Sequence, residues 1–341
     1  MQLYVRTPSS AETRAESPAG EAQQRIKARL TSLLTEGLTT PPTYVLELNT
    51  LLSKASVDLK KVARVIRSDP SMSAQVIRMC NSALISFRRR VLSIEEAAIL
   101  IGSERLRTLV LTCSVMEFTG RQLSRAAEQS FWRHSFLTGM LSERIARWIE
   151  YFEKEQAYLG GLLHDIGMLP LLMVMAEEKA LGDDVSGRPY ANSLEAEKEF
   201  FGLNHCEVGR WVGTSWSFLP SFIDVFENHH HPDRSVRDPH LVGIVAAAGR
   251  FCELHEPPVG GAAAAGPIPV ATVTKDSKDS PEAAAEDEFL ATCLPRLDAE
   301  GRAELMEMLE TEFLHLLPLI DFSNIHGQPR PEKPSRTDIP R

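Results

Sequence analysis

Closely spaced pairs of cysteines are missing from this chain of 341 residues. No two of its cysteines form a Cys-x-x-Cys motif, which excludes a thioredoxin-like redox motif and a cysteine zinc knuckle. An odd and scattered set of cysteines is typical of reduced thiols inside a cell, so we expect a cytoplasmic protein. The five cysteines are Cys80, Cys113, Cys206, Cys252 and Cys293.

Long hydrophobic runs and an excess of basic charge are missing as well. The first two dozen residues are polar, unlike a signal peptide. The apolar run 169–176 is far shorter than the ~20 residues that cross a membrane. The net charge of −9 argues against a globally basic nucleic-acid binder. We therefore expect neither a membrane nor a nucleic acid as partner. Glycine-rich phosphate loops and the Gly-x-Ser-x-Gly motif are also missing, so ATPase and serine-hydrolase functions have no support.

What the chain does contain is helical periodicity. Apolar residues recur every three or four positions through most of the sequence, and no segment alternates strictly between apolar and polar residues. The sequence therefore predicts an all-α protein. Composition divides it into a disordered tail (1–22), an N-terminal helical lobe (23–120), a second helical lobe (121–256), a flexible linker rich in Ala, Gly, Pro and Ser (257–287), a C-terminal acidic helix (288–325) and a second disordered tail (326–341).

Charge is distributed unevenly along the chain. Residues 26–120 hold 13 Lys and Arg against 8 Asp and Glu, whereas residues 251–320 hold 4 against 14. The run Arg88, Arg89 and Arg90 is either an anion-binding group or an ordinary solvated surface. The acidic C-terminal helix could dock on this basic lobe or contact a partner, and its leucines are compatible with a homodimer.

Histidines supply the candidate chemistry. An adjacent His164 and Asp165 interrupt an apolar helix, and burying two such polar groups is costly unless they are paired or bind a metal. Further histidines lie on three other helices, and a helical bundle can direct such groups inward onto one metal. Imidazole and carboxylate together suit Fe, Mn, Zn or Ni. The other reading is that these are hydrogen-bonded core residues or a solvated helix end. The candidates are His134, His164, Asp165, His205, His229 and His230.

Several short motifs carry a resemblance to a known family. Gly161-Leu-Leu-His-Asp-Ile-Gly167 resembles the core of the HD phosphohydrolase superfamily. Trp132-Arg-His-Ser135 precedes it, and Phe201-Gly-Leu-Asn-His-Cys-Glu-Val-Gly209 and His229-His-His-Pro232 follow. This order resembles the HDOD domain, a relative of the HD-GYP cyclic-dinucleotide phosphodiesterases of bacterial signalling proteins, over roughly Leu33 to Leu254. The resemblance implies an N-terminal helical bundle packed on an HD-like bundle.

The resemblance also implies a ligand set and reveals departures from it. His134, His164, Asp165, His205, His229 and His230 match the metal-binding positions, and Asp165 would be the catalytic residue of an active enzyme. A late Asp is replaced by Gly249, and a Lys that meets phosphate is replaced by Met168. The Gly-Tyr-Pro signature is missing; Pro232-Asp-Arg-Ser235 stands there instead.

Two functions follow from these observations. The favoured one is a bacterial signalling or regulatory protein that binds a signalling partner or a nucleotide second messenger, with a degraded metal site and no turnover. The alternative is a metal-dependent phosphohydrolase acting on a nucleotide or cyclic dinucleotide. The sequence leaves open whether the protein is an enzyme.

Overall fold

All regular structure in the described residues is helical. The computed structural model describes residues 18–37, 58–67, 69–81, 90–119, 123–180, 193–256 and 281–320. No strand occurs in these ranges, and the all-α prediction is confirmed. The thirteen α-helices are α1 (Pro18–Ser32), α2 (Leu59–Arg67), α3 (Pro70–Cys80), α4 (Ile94–Thr119), α5 (Arg125–Trp148), α6 (Lys154–Leu163), α7 (Met168–Ala180), α8 (Leu194–Phe201), α9 (His205–Ser215), α10 (Pro220–Asn228), α11 (Pro239–His255), α12 (Pro281–Cys293) and α13 (Ala299–Leu316).

The N-terminal lobe consists of α2, α3 and α4, which pack on one another. Asp58 begins α2 because its carboxylate accepts hydrogen bonds from the backbone N–H groups of Lys60 and Lys61. Gly102 divides α4 with a kink at φ +77°, a conformation that favours glycine. Arg90 is exposed, whereas Arg88 and Arg89 lie outside the described residues.

Helix α1 differs from the sequence prediction in where it packs. We predicted that the N-terminal lobe starts at residue 23, after a disordered tail. The helix instead begins at Pro18 and packs against α7 and α8 of the second lobe. Arg29 forms an ion pair with Glu177 on α7, with 2.6 Å between Nε and Oε2. Local periodicity predicts a helix but contains no information on its distant neighbour.

The second lobe is built around α5, which packs against both α6 and α11. The pair α9 and α10 packs beside them. Among the described residues, the segment Lys154–Glu177 is long and apolar enough to cross a membrane by length and composition. It is 78% buried inside the structure over its most apolar window, as the core helices of globular proteins are. The turn at His164–Gly167 divides it into α6 and α7.

The C-terminal segment differs from the single predicted helix. Helix α12 begins at Pro281, inside the range that composition assigned to the linker, and residues 294–298 separate it from α13. This helix pair packs on the second lobe, α12 against α11 and α13 against α5. Glu312 pairs with Arg144 of α5, with 3.1 Å between Oε2 and Nε. Of the two alternatives, docking on the basic N-terminal lobe or contact with a partner, the first is not what the structure has: the pair packs on the second lobe. Residues 257–280 and 321–341, which include most of the predicted linker and the whole C-terminal tail, lie outside the described residues.

Candidate metal centre

Asp165 lies at the centre of the histidine cluster. Its Oδ2 atom lies 3.5 Å from Nε2 of His164 and 3.8 Å from Nε2 of His134. Its Oδ1 atom lies 3.3 Å from Nε2 of His229 and 3.5 Å from Nε2 of His205. The two oxygens of one carboxylate thus face two groups of imidazoles. His134 lies on α5 and His205 is the first residue of α9, whereas His164 and Asp165 lie in the turn after α6 and His229 directly follows α10.

His230 joins the second of these two groups. Its Nε2 atom lies 3.1 Å from Nε2 of His205, and its ring packs against that of His229 with 4.4 Å between centroids. The structure therefore brings all six sequence-predicted metal ligands into one cluster. One group is His134, His164 and Asp165, and the other contains His205, His229 and His230, with Cys206 beside them.

The outward ring nitrogens of four histidines are held by oxygen acceptors. Nδ1 of His164 lies 2.7 Å from the Gly161 carbonyl, and Nδ1 of His229 lies 2.9 Å from the Val225 carbonyl. Carbonyl oxygens only accept hydrogen bonds, so these Nδ1 atoms carry the hydrogen. In the neutral rings, Nε2 then carries no hydrogen, and its lone pair is directed into the cluster. This second partner is what fixes the orientation of metal-ligating histidines.

Carboxylates hold the other two histidines. Nδ1 of His134 lies 2.9 Å from Oε2 of Glu256, and Nδ1 of His205 lies 2.8 Å from Oε2 of Glu197. The second carboxylate also accepts the backbone N–H of His205 at 2.8 Å. Sequence reasoning missed both glutamates. Neither lies at a spacing from its histidine that a helix would bring together, so no local signal could have found them.

Burial and charge tune the titration of the cluster. Burial lowers the pKa of His164 to about 3, which keeps that ring neutral and its Nε2 lone pair available. Burial alone would raise the pKa of Asp165, but the neighbouring His164, His229 and His205 hold that pKa well below its usual range. The centre therefore offers an ionised carboxylate beside a neutral imidazole, the protonation states in which both groups bind a metal.

The positions of the ring nitrogens and of the Asp165 carboxylate are suited to binding a divalent transition metal. Nε2 of His134 lies 3.3 Å from Nε2 of His164, and the same distance separates the Nε2 atoms of His205 and His229. Each of these two close contacts needs a proton or a cation between its nitrogens. Oδ1 of Asp165 is buried and has no hydrogen-bond partner, which leaves it free as a ligand. A bound transition metal would supply Lewis-acid polarisation and a lowered pKa of water.

The departure at Gly249 lies directly beside the centre. A Cβ atom placed on Gly249 would lie 3.6 Å from Nε2 of His164, in ordinary van der Waals contact. A longer acidic side chain at this position of α11 would thus point at the first group of ligands. Position 249 therefore supplies no carboxylate; Glu253, one turn later on α11, lines the same pocket, and its Oε1 atom lies 3.9 Å from Nδ1 of His230.

A pocket of about 260 Å³ adjoins the histidines. Arg250 and Glu253 of α11 form one wall, and Ala285 and Phe289 of α12 cover part of it. Arg250 lies 3.3 Å from Glu286 of α12, measured from Nε to Oε2. Helix α12 is therefore part of the wall of the candidate site, which the sequence did not predict.

Comparison with known proteins places these features in a family. The family model of the HDOD domain matches residues 38–232. A curated uncharacterized protein of Treponema pallidum (strain Nichols) is 21% identical over 211 residues, which are 61% of this chain and 40% of that protein. The chain thus matches well under half the length of this relative.

Solved structures share the fold. An HDOD domain protein with unknown function from Geobacter sulfurreducens superimposes with a TM-score of 0.62 at 24% identity, covering 87% of this chain and 98% of the other. A candidate phosphohydrolase from Shewanella amazonensis SB2B gives 0.61 at 22% identity, covering 88% and 98%. A candidate signal transduction protein from Marinobacter aquaeolei VT8 gives 0.60 at 18% identity, covering 88% and 62%. At these identities the likeness is one of fold.

Proposed function

The chain belongs to the HDOD family, and we propose that it is a cytoplasmic signalling protein whose HD-type centre binds metal and a small anionic ligand without efficient hydrolysis. The observation that carries this proposal is the pairing of a converged ligand cluster with the open position at Gly249. Metal binding is supported by the unpartnered Oδ1 of Asp165 and the facing imidazole nitrogens. Loss of turnover is supported by the missing carboxylate beside His164.

The missing groups matter because hydrolysis depends on stabilising charge in the transition state. A carboxylate at position 249 would balance the charge of a cation, and a lysine at position 168 would meet developing phosphoryl charge. Removing one such electrostatic contact typically costs about 3 to 4 kcal/mol of transition-state stabilisation, or roughly 100- to 1,000-fold in rate. Binding of a ground-state ligand does not need either group, so recognition can persist where catalysis fails.

The pocket sets the size of the ligand. Its volume of about 260 Å³ is below the roughly 300–1,000 Å³ typical of drug-sized ligands. A phosphate or mononucleotide portion fits this space better than a complete cyclic dinucleotide. Arg250 supplies a guanidinium in the wall, and this group suits bidentate contact with phosphate. We propose that occupancy of this pocket regulates association with a signalling partner.

The specific observation that favours the second candidate function, a metal-dependent phosphohydrolase, is the convergence of all six ligands. One experiment separates the two. The purified chain is analysed for metal content and assayed with bis(p-nitrophenyl) phosphate, alongside Asp165→Ala and Gly249→Asp. We expect bound metal, hydrolysis at the background rate, loss of metal in Asp165→Ala, and a gain of hydrolysis in Gly249→Asp. Hydrolysis by the unaltered chain that Asp165→Ala abolishes would establish the phosphohydrolase instead.

A further inference from the structure

Cys206 differs from the other cysteines in its surroundings. Cys80, Cys113, Cys252 and Cys293 are all part of the contiguous hydrophobic core of the described residues. Cys206 is also buried, at 5% exposure, but it is not part of this contiguous cluster of apolar side chains. Buried cysteine usually behaves as a small apolar side chain. The buried thiol of Cys206 instead lies beside polar groups, the imidazoles of the histidine cluster.

The position of Cys206 follows from the start of α9. Asn204 caps this helix by accepting the N–H of Glu207 at 2.9 Å, and the Glu207 carboxylate accepts the N–H of Asn204 at 3.1 Å. This reciprocal capping box fixes the first turn, in which His205 and Cys206 are the first two residues. The thiol is thereby held next to the imidazole of His205.

Four ligand atoms meet at this end of the centre. Sγ of Cys206 and one ring nitrogen each of His205, His229 and His230 all lie within 4.8 Å of one another. We propose that Cys206 is a thiolate ligand of the second half of the centre, and that this half selects zinc. Three imidazoles and one thiolate supply four nitrogen and sulfur donors, the number and kind of ligand that a closed tetrahedral zinc site uses. Soft thiolate also disfavours Mg²⁺ and Mn²⁺, which prefer oxygen ligands.

A thiolate ligand would have a consequence for chemistry. Catalytic zinc sites keep one position open for water, whereas sites with four protein ligands are closed. With Cys206 bound, the second half of the centre holds its zinc as a structural ion and activates no water. This inference rests on the proposed function, because it assumes that the cluster binds metal.

The test uses Co²⁺ as a spectroscopic substitute for zinc. The full chain is stripped with a chelator, reloaded with Co²⁺ alone and examined for the near-ultraviolet sulfur-to-cobalt charge-transfer band. We expect the band in the unaltered chain and in Cys252→Ser, which removes a core cysteine, and its loss in Cys206→Ser and Cys206→Ala. Competition between Zn²⁺ and Mn²⁺ should show a preference for zinc that falls more than about tenfold in Cys206→Ser.

The outcomes separate this inference from the proposed function. Cobalt that binds to the unaltered chain without a charge-transfer band would overturn the role of Cys206 and leave metal binding intact. Failure of the unaltered chain to bind any cobalt would overturn both. The spectrum of the unaltered chain decides either case, so the result does not depend on whether a Cys206 variant folds.

Discussion

Gly167 packs directly against the backbone of His205. A Cβ atom on Gly167 would overlap the His205 carbonyl oxygen and would lie 2.5 Å from the backbone nitrogen of Gly209. The turn that follows Asp165 therefore touches the first turn of α9 backbone to backbone. This contact brings the second group of histidines within reach of the Asp165 carboxylate.

Gly167→Ala should consequently destabilise the protein and separate the two halves of the candidate metal centre. The obstacle is backbone, which cannot rotate away like a flexible side chain, so we expect a loss on the order of 3 kcal/mol in the free energy of unfolding. Thermal melting and metal titration measure the two effects. Gly249→Ala is the matched control, because its Cβ would meet nothing nearer than 3.6 Å. Equal stability of the two variants would contradict the packing argument.

Glu197→Gln should weaken metal binding without unfolding the chain. The Glu197 carboxylate holds Nδ1 of His205 at 2.8 Å and thereby directs Nε2 toward the centre. Loss of such an outer partner typically lowers metal affinity about 10- to 100-fold. Isothermal titration with Zn²⁺ measures the change. Glu195→Gln alters an exposed carboxylate on the same helix and should leave affinity unchanged. The role of Glu197 is refuted if the two variants bind zinc alike.

Asp224→Asn should destabilise the loop that leads into α11. The Asp224 carboxylate accepts the Ser235 hydroxyl at 2.8 Å and the backbone N–H groups of Arg237 and Asp238 at 2.7 and 3.1 Å. Hydrogen bonds to a charged group contribute about 1.5–3 kcal/mol each, so we expect a loss of at least about 2 kcal/mol. Urea unfolding at neutral pH measures it. Asp233→Asn, an exposed carboxylate in the same loop, is the control.

The contribution of the Asp224 carboxylate to the free energy of unfolding should depend on pH. Burial opposes ionisation of Asp224, but its hydrogen-bond donors outweigh burial and hold its pKa below the usual value. A lowered folded-state pKa means that the stabilisation is complete above the unfolded-state pKa of about 3.9 and is lost as pH falls through the folded-state value. The stability gap between the unaltered chain and Asp224→Asn should therefore be constant from about pH 5 to 7 and shrink in acid. A gap that widens in acid would contradict this assignment.

Gly243→Ala should displace the C-terminal helix pair from the wall of the pocket. A Cβ on Gly243 would overlap the carbonyl oxygen of Cys293, the last residue of α12. We expect faster amide exchange in 281–293 than in the unaltered chain, measured by hydrogen–deuterium exchange, while the metal ligands stay in place. Gly249→Ala on the same helix again serves as control. Unchanged exchange in α12 would show that this contact does not hold the helix.

The helical class, the order of the motifs and the residue types of the histidine cluster follow from the amino-acid sequence alone. Local signals carried these predictions: apolar spacing for the helices, and His164-Asp165 within an apolar segment. Even the departure at Gly249 was visible from its place in the motif order. The helices and the His-Asp pair depend on residues close together in the chain, and the departure at Gly249 follows from the resemblance to the family.

Which distant groups meet depends on the three-dimensional packing of the helices. The tertiary structure placed Glu256 on His134, Glu197 on His205 and α12 beside the pocket. It also showed that α1 packs against the second lobe. Periodicity identifies the face that a helix buries but not the helix that packs against it. Many helices of this chain have apolar faces with the same residue spacing, so the spacing does not distinguish one partner from another. The choice among them is made by close contacts such as Gly167 against His205, which depend on shape in three dimensions.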